Sequence, residues 1–194
     1  GEPVAISKPL GLSQQPDDVT PDGALIVLET TGAATGPDLQ ILDTIGTKPP
    51  VPFLNTAVNE SDARLAPDGR WVAYLSDESG QSEVYVRPTD GSTGKWQISR
   101  DGGSEPIWSR DGRELFYRGA QSMIAVSVET SPSFVAREGR PLFRDVSYSR
   151  SPDHSTFDVH PSGAWFVMTR NGSVQPHVIL VQNFGVALAG ALRR

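Results

Sequence analysis

Cysteine is absent from the 194 residues. Disulfide cross-links, thiolate metal sites and cysteine nucleophiles are thereby excluded, while the compartment stays open. Histidine is scarce, with only His154, His160 and His177, so imidazole acid–base or zinc chemistry has few places to stand. Basic charge is in the minority: 17 Lys and Arg face 23 Asp and Glu, for a formal net charge of −6. A field of that sign repels polyanions, and nucleic acid is not an expected partner. The chain also lacks the run of about 20 apolar residues that a membrane-crossing helix requires. Residues 186–192 are small and apolar but too few, so no membrane insertion by this chain is expected and residues 185–194 read as a tail, with room for a short helix.

Catalytic signatures are missing as well. There is no Gly-x-Ser-x-Gly elbow, and Ser104, after Gly102 and Gly103, leads into a strand rather than a helix. Asp77, Glu78 and Glu83 lack calcium-loop spacing and read as a solvated hairpin tip. His154 stands next to Asp153 and four residues before Asp158, yet no further ligands accompany the pair. His160 precedes a proline in a turn, and His177 opens a strand. Two glycosylation-type triplets, at Asn59 and Asn171, are too short to carry weight. No catalytic residue, metal or cofactor is expected of the chain.

What the chain does have is a repeated turn. Thr20, Pro21, Asp22, Gly23 is echoed by Ala66, Pro67, Asp68, Gly69, by Ser109, Arg110, Asp111, Gly112 and by His160, Pro161, Ser162, Gly163. Proline pre-sets its φ, aspartate caps the turn through its side chain, and glycine takes the left-handed conformation, so the flanking strands are forced antiparallel. The glycines recur at intervals of roughly 40 to 50 residues, the period of β-propeller blades.

Each turn feeds an apolar run: Ile26 to Leu28, Val72 to Tyr74, Leu115 to Tyr117 and Phe166 to Met168. These runs are apolar on both faces, as expected for strands covered on both sides by neighbouring blades. Before the turns, Val19, Leu65, Trp108 and Val159 are expected to face the core. Third strands are predicted over 39–42, 84–87, 124–128 and 178–181, and fourth strands over 52–54, 96–98 and 141–143. Val4 to Ile6 has the character of a stray outer strand within residues 1–10. The predicted fold is all-β, a propeller over 1–184 with blades near 11–54, 60–99, 104–144 and 155–184. If the opening strand completes the last blade, the ring closes with four blades and no free edge. Otherwise the chain is an arc of a larger propeller, the reading adopted here because it starts in mid-repeat and without Met.

The stretch from Ala63 through Ala66, Pro67, Asp68, Gly69, Arg70, Trp71, Val72, Ala73, Tyr74 to Val86 resembles the TolB-type, WD-like propeller repeat. Glu105 to Tyr117 is similar in particular to propellers carried behind bacterial serine/threonine protein kinases, and Ile179 to Phe184 resembles their last strand. The match departs at Thr31 to Pro37 and at Ser162, which replaces the turn aspartate. No glycine-rich strand pair and no HRD or DFG motif is present, so the resemblance implies a noncatalytic sensor or protein-binding module. It also implies an extracytoplasmic or periplasmic place, with the cytoplasm still open. Related propellers occur in TolB, a periplasmic scaffold, and in prolyl oligopeptidases, where they cover a separate hydrolase domain. The expected partner is a protein or peptide, or the missing blades of the same propeller. Loops before the innermost strands offer Asp17, Asp18, Glu60, Asp62, Arg64, Glu105, Trp108, His154 and Asp158 as candidate contacts.

Overall fold

The computed structural model describes residues 13–33, 36–45, 51–151, 154–170 and 177–182. The expected strand at 4–6, the tail from 185 and the Asn171 triplet lie outside them. Sixteen strands and no helix are found among the described residues, arranged as four antiparallel sheets in chain order. The first holds β1 (Ser13–Val19), β2 (Leu25–Ala33), β3 (Gly36–Asp43) and β4 (Val51–Leu54). The second holds β5 (Glu60–Leu65), β6 (Trp71–Ser76), β7 (Glu83–Pro88) and β8 (Trp96–Gln97). In the third, β9 (Ser104–Trp108), β10 (Glu114–Arg118) and β11 (Ser122–Glu129) are followed by β12 (Val135–Ala136) and β13 (Arg140–Arg144). β11 pairs with β13 along its first half and with β12 along its second, so the single outer strand expected here is divided in two. The last sheet holds β14 (Phe157–Val159), β15 (Trp165–Arg170) and β16 (His177–Gln182).

All four repeat turns have the same construction. The glycine N–H donates to the carbonyl three residues back, at 2.7 to 2.9 Å in each case. The glycines themselves sit at φ of 73°, 69°, 68° and 66°. Ser162, the departure from the pattern, is accommodated by a swap of roles: the His160 Nδ1 accepts from the Ser162 backbone N–H at 3.2 Å, and the imidazole stacks on Trp165 with centroids 4.1 Å apart. His160 is a turn residue. Gly69 does a second job, since a Cβ there would meet Thr20 Cγ2 at 3.3 Å and Leu25 Cδ1 at 3.5 Å in the first sheet, whereas Gly23 has open space. Gly23→Ala is therefore expected to cost only the left-handed penalty of about 1–2 kcal/mol. Gly69→Ala is expected to lower the urea midpoint further, because it also separates two sheets.

The doubly apolar runs are explained by their neighbours. Val72 and Tyr74 pack back onto Val27 and Leu39 of the first sheet. Trp71 and Ala73, between and beside them, pack forward onto Trp108, Leu115 and Tyr117 of the third. Phe116 faces the other way and meets Phe157, Phe166 and Met168 of the fourth. The middle strands of the second and third sheets thus each contribute to two cores, as blades flanked on both sides in a propeller do. Phe116 and Phe166 are wholly buried, each burial contributing about 1.5–3 kcal/mol, and their rings meet edge to face at 5.1 Å.

Val19 corrects the sequence reading. Leu65, Trp108 and Val159 each pack against the preceding sheet, but Val19 is 51 % exposed because no described sheet precedes it. At the other end Val178, on β16, is 75 % exposed. Open faces at both ends fit an arc of a larger propeller.

Candidate functional site at the propeller axis

The innermost strand of each sheet is an edge, and its outward N–H groups need acceptors. Acidic side chains of the neighbouring sheet supply them. Asp17 Oδ2 accepts from Ala63 N–H at 2.9 Å, and Asp18 Oδ2 accepts from Leu65 N–H at 2.9 Å. The Asp62 carboxylate accepts from the Glu105 N–H. Glu105 Oε2 in turn takes the Thr156 N–H at 2.5 Å and its hydroxyl at 2.9 Å. One ladder of carboxylate clamps therefore runs from the first sheet to the fourth. Asp62 and Glu105 hold equivalent places seven residues before their turn glycines, and both have left-handed backbones, φ 48° and 52°. Each sits where its innermost strand slips register against the next, so the bulge is what aims the carboxylate sideways.

Near the start of this ladder lies a cavity of about 410 Å³ lined by Asp17, Glu29, Ser61, Asp62, Arg64 and His154, among others. Arg64 bridges three sheets. Its guanidinium donates to the Asp17 carbonyl at 2.6 Å and to Ser155 Oγ at 2.9 Å, and pairs with Asp62 Oδ1 at 3.1 Å. The exposed His154 accepts or donates at Ser151 Oγ, 3.1 Å from Nδ1. Burial pushes the carboxyls of Asp17 and Asp62 up to about 6. For Asp17 the Ala63 N–H opposes this and Glu29 adds to it, while for Asp62 the Arg64 guanidinium opposes it.

A raised carboxyl pKa means that the folded chain holds protons which the unfolded chain has released between 3.8 and about 6. The associated stability is complete below that window and is lost as pH rises through it. Asp17→Asn and Asp62→Asn keep an acceptor oxygen and remove the charge. Each is expected to gain stability relative to the parent between pH 4 and pH 7, on the order of 1 kcal/mol, in urea titrations at the two pH values.

Of the residues singled out in the sequence, Asp17, Asp62, Arg64 and His154 meet at this cavity. Glu60, Glu105 and Trp108 do not. They are 2 %, 1 % and 7 % exposed, so a partner could reach them only by parting the sheets. Glu60 accepts from Thr56 Oγ1 at 2.6 Å, and burial holds its carboxyl above the usual range. Trp108 donates its indole N–H to the Arg64 carbonyl at 2.9 Å, fastening the third sheet to the second. Asp158 is exposed on the fourth sheet, away from the cavity lining.

Sequence reasoning missed Arg118, whose side chain is wholly buried. It pairs with Asp145 at 2.7 Å and Glu105 at 3.3 Å, and donates to Thr156 Oγ1 at 2.8 Å and to the Ser149 carbonyl. Arg150 completes the network on Asp145 at 3.0 Å. The one available signal was a charge closing the apolar run Leu115 to Tyr117, where the second repeat has Leu75. Among the described residues no group of three or more His, Asp or Glu is placed to hold a metal ion.

No protein family model matches the chain. Over 90 residues, 45 % of the chain, it is 30 % identical to the uncharacterized peptidase YuxL of Bacillus subtilis, of which the match spans 13 %. Among solved structures, TolB from Acinetobacter baumannii superposes with a TM-score of 0.67 at 16 % identity, over 90 % of this chain and 42 % of that one. A putative TolB from Agrobacterium tumefaciens gives 0.62 at 19 % identity, over 86 % and 60 %. An oligogalacturonate lyase in complex with manganese gives 0.58 at 14 % identity, over 82 % and 45 %. The chain thus spans less than two thirds of each of these proteins, and at such identities the likeness shows the propeller fold alone.

Proposed function

We propose that this chain is a noncatalytic binding module, a propeller arc that presents its axial cavity to a protein or peptide partner bearing a positively charged side chain. The observation that carries this reading is the charge balance of the cavity. Three carboxylates, Asp17, Glu29 and Asp62, line it against one guanidinium, and Arg64 is already engaged by Asp17, Ser155 and Asp62. A lysine or arginine entering there would relieve the carboxylates' loss of hydration, and would bind better as they ionise.

Titration calorimetry with an arginine-containing hexapeptide and its glutamate counterpart tests the reading. The basic peptide is expected to bind at least tenfold more tightly at pH 7 than at pH 5, and Asp17→Asn with Asp62→Asn is expected to remove that gain. Equal binding of the acidic peptide would sink it.

The wider setting we propose is the sensor or interaction part of a bacterial receptor-type serine/threonine kinase, outside the cytoplasm. Its support is the repeat spelling from Glu105 to Tyr117. A second reading, the accessory propeller of a peptidase, is supported by the likeness to YuxL. The gene surrounding this chain separates them: kinase motifs and a membrane span favour the first, a hydrolase domain the second.

A further inference from the structure

Asp18 and Asp158 occupy the same place in their repeats, five residues before Gly23 and Gly163. Each uses Oδ1 in the same way, accepting the N–H of the next residue: Val19 at 2.8 Å and Val159 at 2.7 Å. Asp18 turns its other oxygen to the innermost strand of the following sheet, where Leu65 N–H donates at 2.9 Å. Asp158 is exposed and lies at the edge of an open groove of about 500 Å³ that also includes His154, Val167, Thr169 and Val178. Val167 belongs to the forward-facing set that in the second sheet is Trp71 and Ala73, buried against the third. Here the same positions are half-buried, and Val178 is 75 % exposed.

We propose that this face is one half of a sheet-to-sheet interface, and that Asp158 accepts a backbone N–H from the innermost strand of a further blade belonging to the same propeller. The argument is continuity with the three interfaces already formed. At each of them a carboxylate on one innermost strand takes an edge N–H of the next, over an apolar contact between the sheets. Asp158 brings the acceptor, and Val167 and Val178 bring the apolar half. A free edge strand with unpaired N–H groups is the chemistry that completes both.

The test compares Asp18→Ala, Asp158→Ala and Val178→Lys in the 194-residue chain and in the longest natural polypeptide that contains it, by urea denaturation. Asp18→Ala is expected to lower the midpoint in both. Asp158→Ala and Val178→Lys are expected to leave the shorter chain within error and, in the longer polypeptide, to lower the midpoint as far as Asp18→Ala does. Neutral behaviour of both variants in the longer polypeptide overturns the proposal. So does concentration-dependent dimerisation of the 194-residue chain that both substitutions abolish, since that gives the face to a second copy.

Discussion

Arg118→Met is expected to cost about 3–5 kcal/mol, a large part of the roughly 5–15 kcal/mol that holds a domain folded. The side chain is wholly buried between the third and fourth sheets, with Asp145 and Glu105 as its ion-pair partners. Methionine fills most of the volume, so the loss is electrostatic. Asp145 retains Arg150, but Glu105 is left charged in the interior with only the Thr156 N–H and hydroxyl. Two further variants separate this cause from packing. Arg118→Met with Glu105→Gln is expected to recover at least about 1 kcal/mol of the loss, because the orphaned charge is gone. Arg118→Lys is expected to fall between, since an ammonium cannot reproduce the fork that reaches the Asp145 carboxylate, Thr156 and the carbonyls of Asp145, Tyr148 and Ser149. Thermal and urea midpoints of the three variants check the order. A double variant as unstable as Arg118→Met alone would show that packing, not charge, dominates.

The second large effect is expected at Trp108. Trp108→Ala is expected to cost about 3–5 kcal/mol, from the cavity left in the largest core cluster, where the indole meets Phe134 at 6.4 Å edge to face. Trp108→Phe keeps most of that packing and removes only the hydrogen bond to the Arg64 carbonyl, at an expected cost of about 1 kcal/mol. The milder variant is the more informative. Arg64 is held at its backbone by Trp108 and at its guanidinium by Asp17, Asp62 and Ser155. Releasing the backbone anchor is expected to weaken basic-peptide binding about as much as it weakens the fold, although Trp108 itself does not line the cavity. Unchanged affinity in Trp108→Phe would show that Arg64 needs no such anchoring.

Much of the fold could be read before any coordinates, because its strongest signals are local. Pro-Asp-Gly turns dictate a reversal through three residues of backbone chemistry, and the runs that follow declare double burial by being apolar on both faces. β6 and β10 were legible for that reason. Val19 was not, since its spelling matches Leu65 and Trp108 and its exposure depends on whether a sheet precedes it. The division of the third sheet's outer strand into β12 and β13 was likewise invisible, being settled by how β11 is shared along its length. At the site, sequence brought forward the acidic residues of the innermost strands but not their job. Asp17, Asp18, Asp62 and Glu105 looked like loop charges facing a partner; all four fasten one sheet to the next, and Asp17 and Asp62 also shape the cavity. Arg118 and Asp145 lie 27 residues apart and meet only because β10 and β13 both pair with β11 in the third sheet.

The claim on which the rest depends is that acidic side chains satisfy the edge N–H groups of each neighbouring innermost strand. Amide hydrogen exchange on the isotopically labelled chain reads it residue by residue. Ala63, Leu65 and Thr156 are expected to exchange as slowly as the paired amides of β6 and β10, because Asp17, Asp18 and Glu105 hold them. Exchange at those three amides as fast as in the exposed turn tips would contradict it, and with it the ladder that joins the sheets.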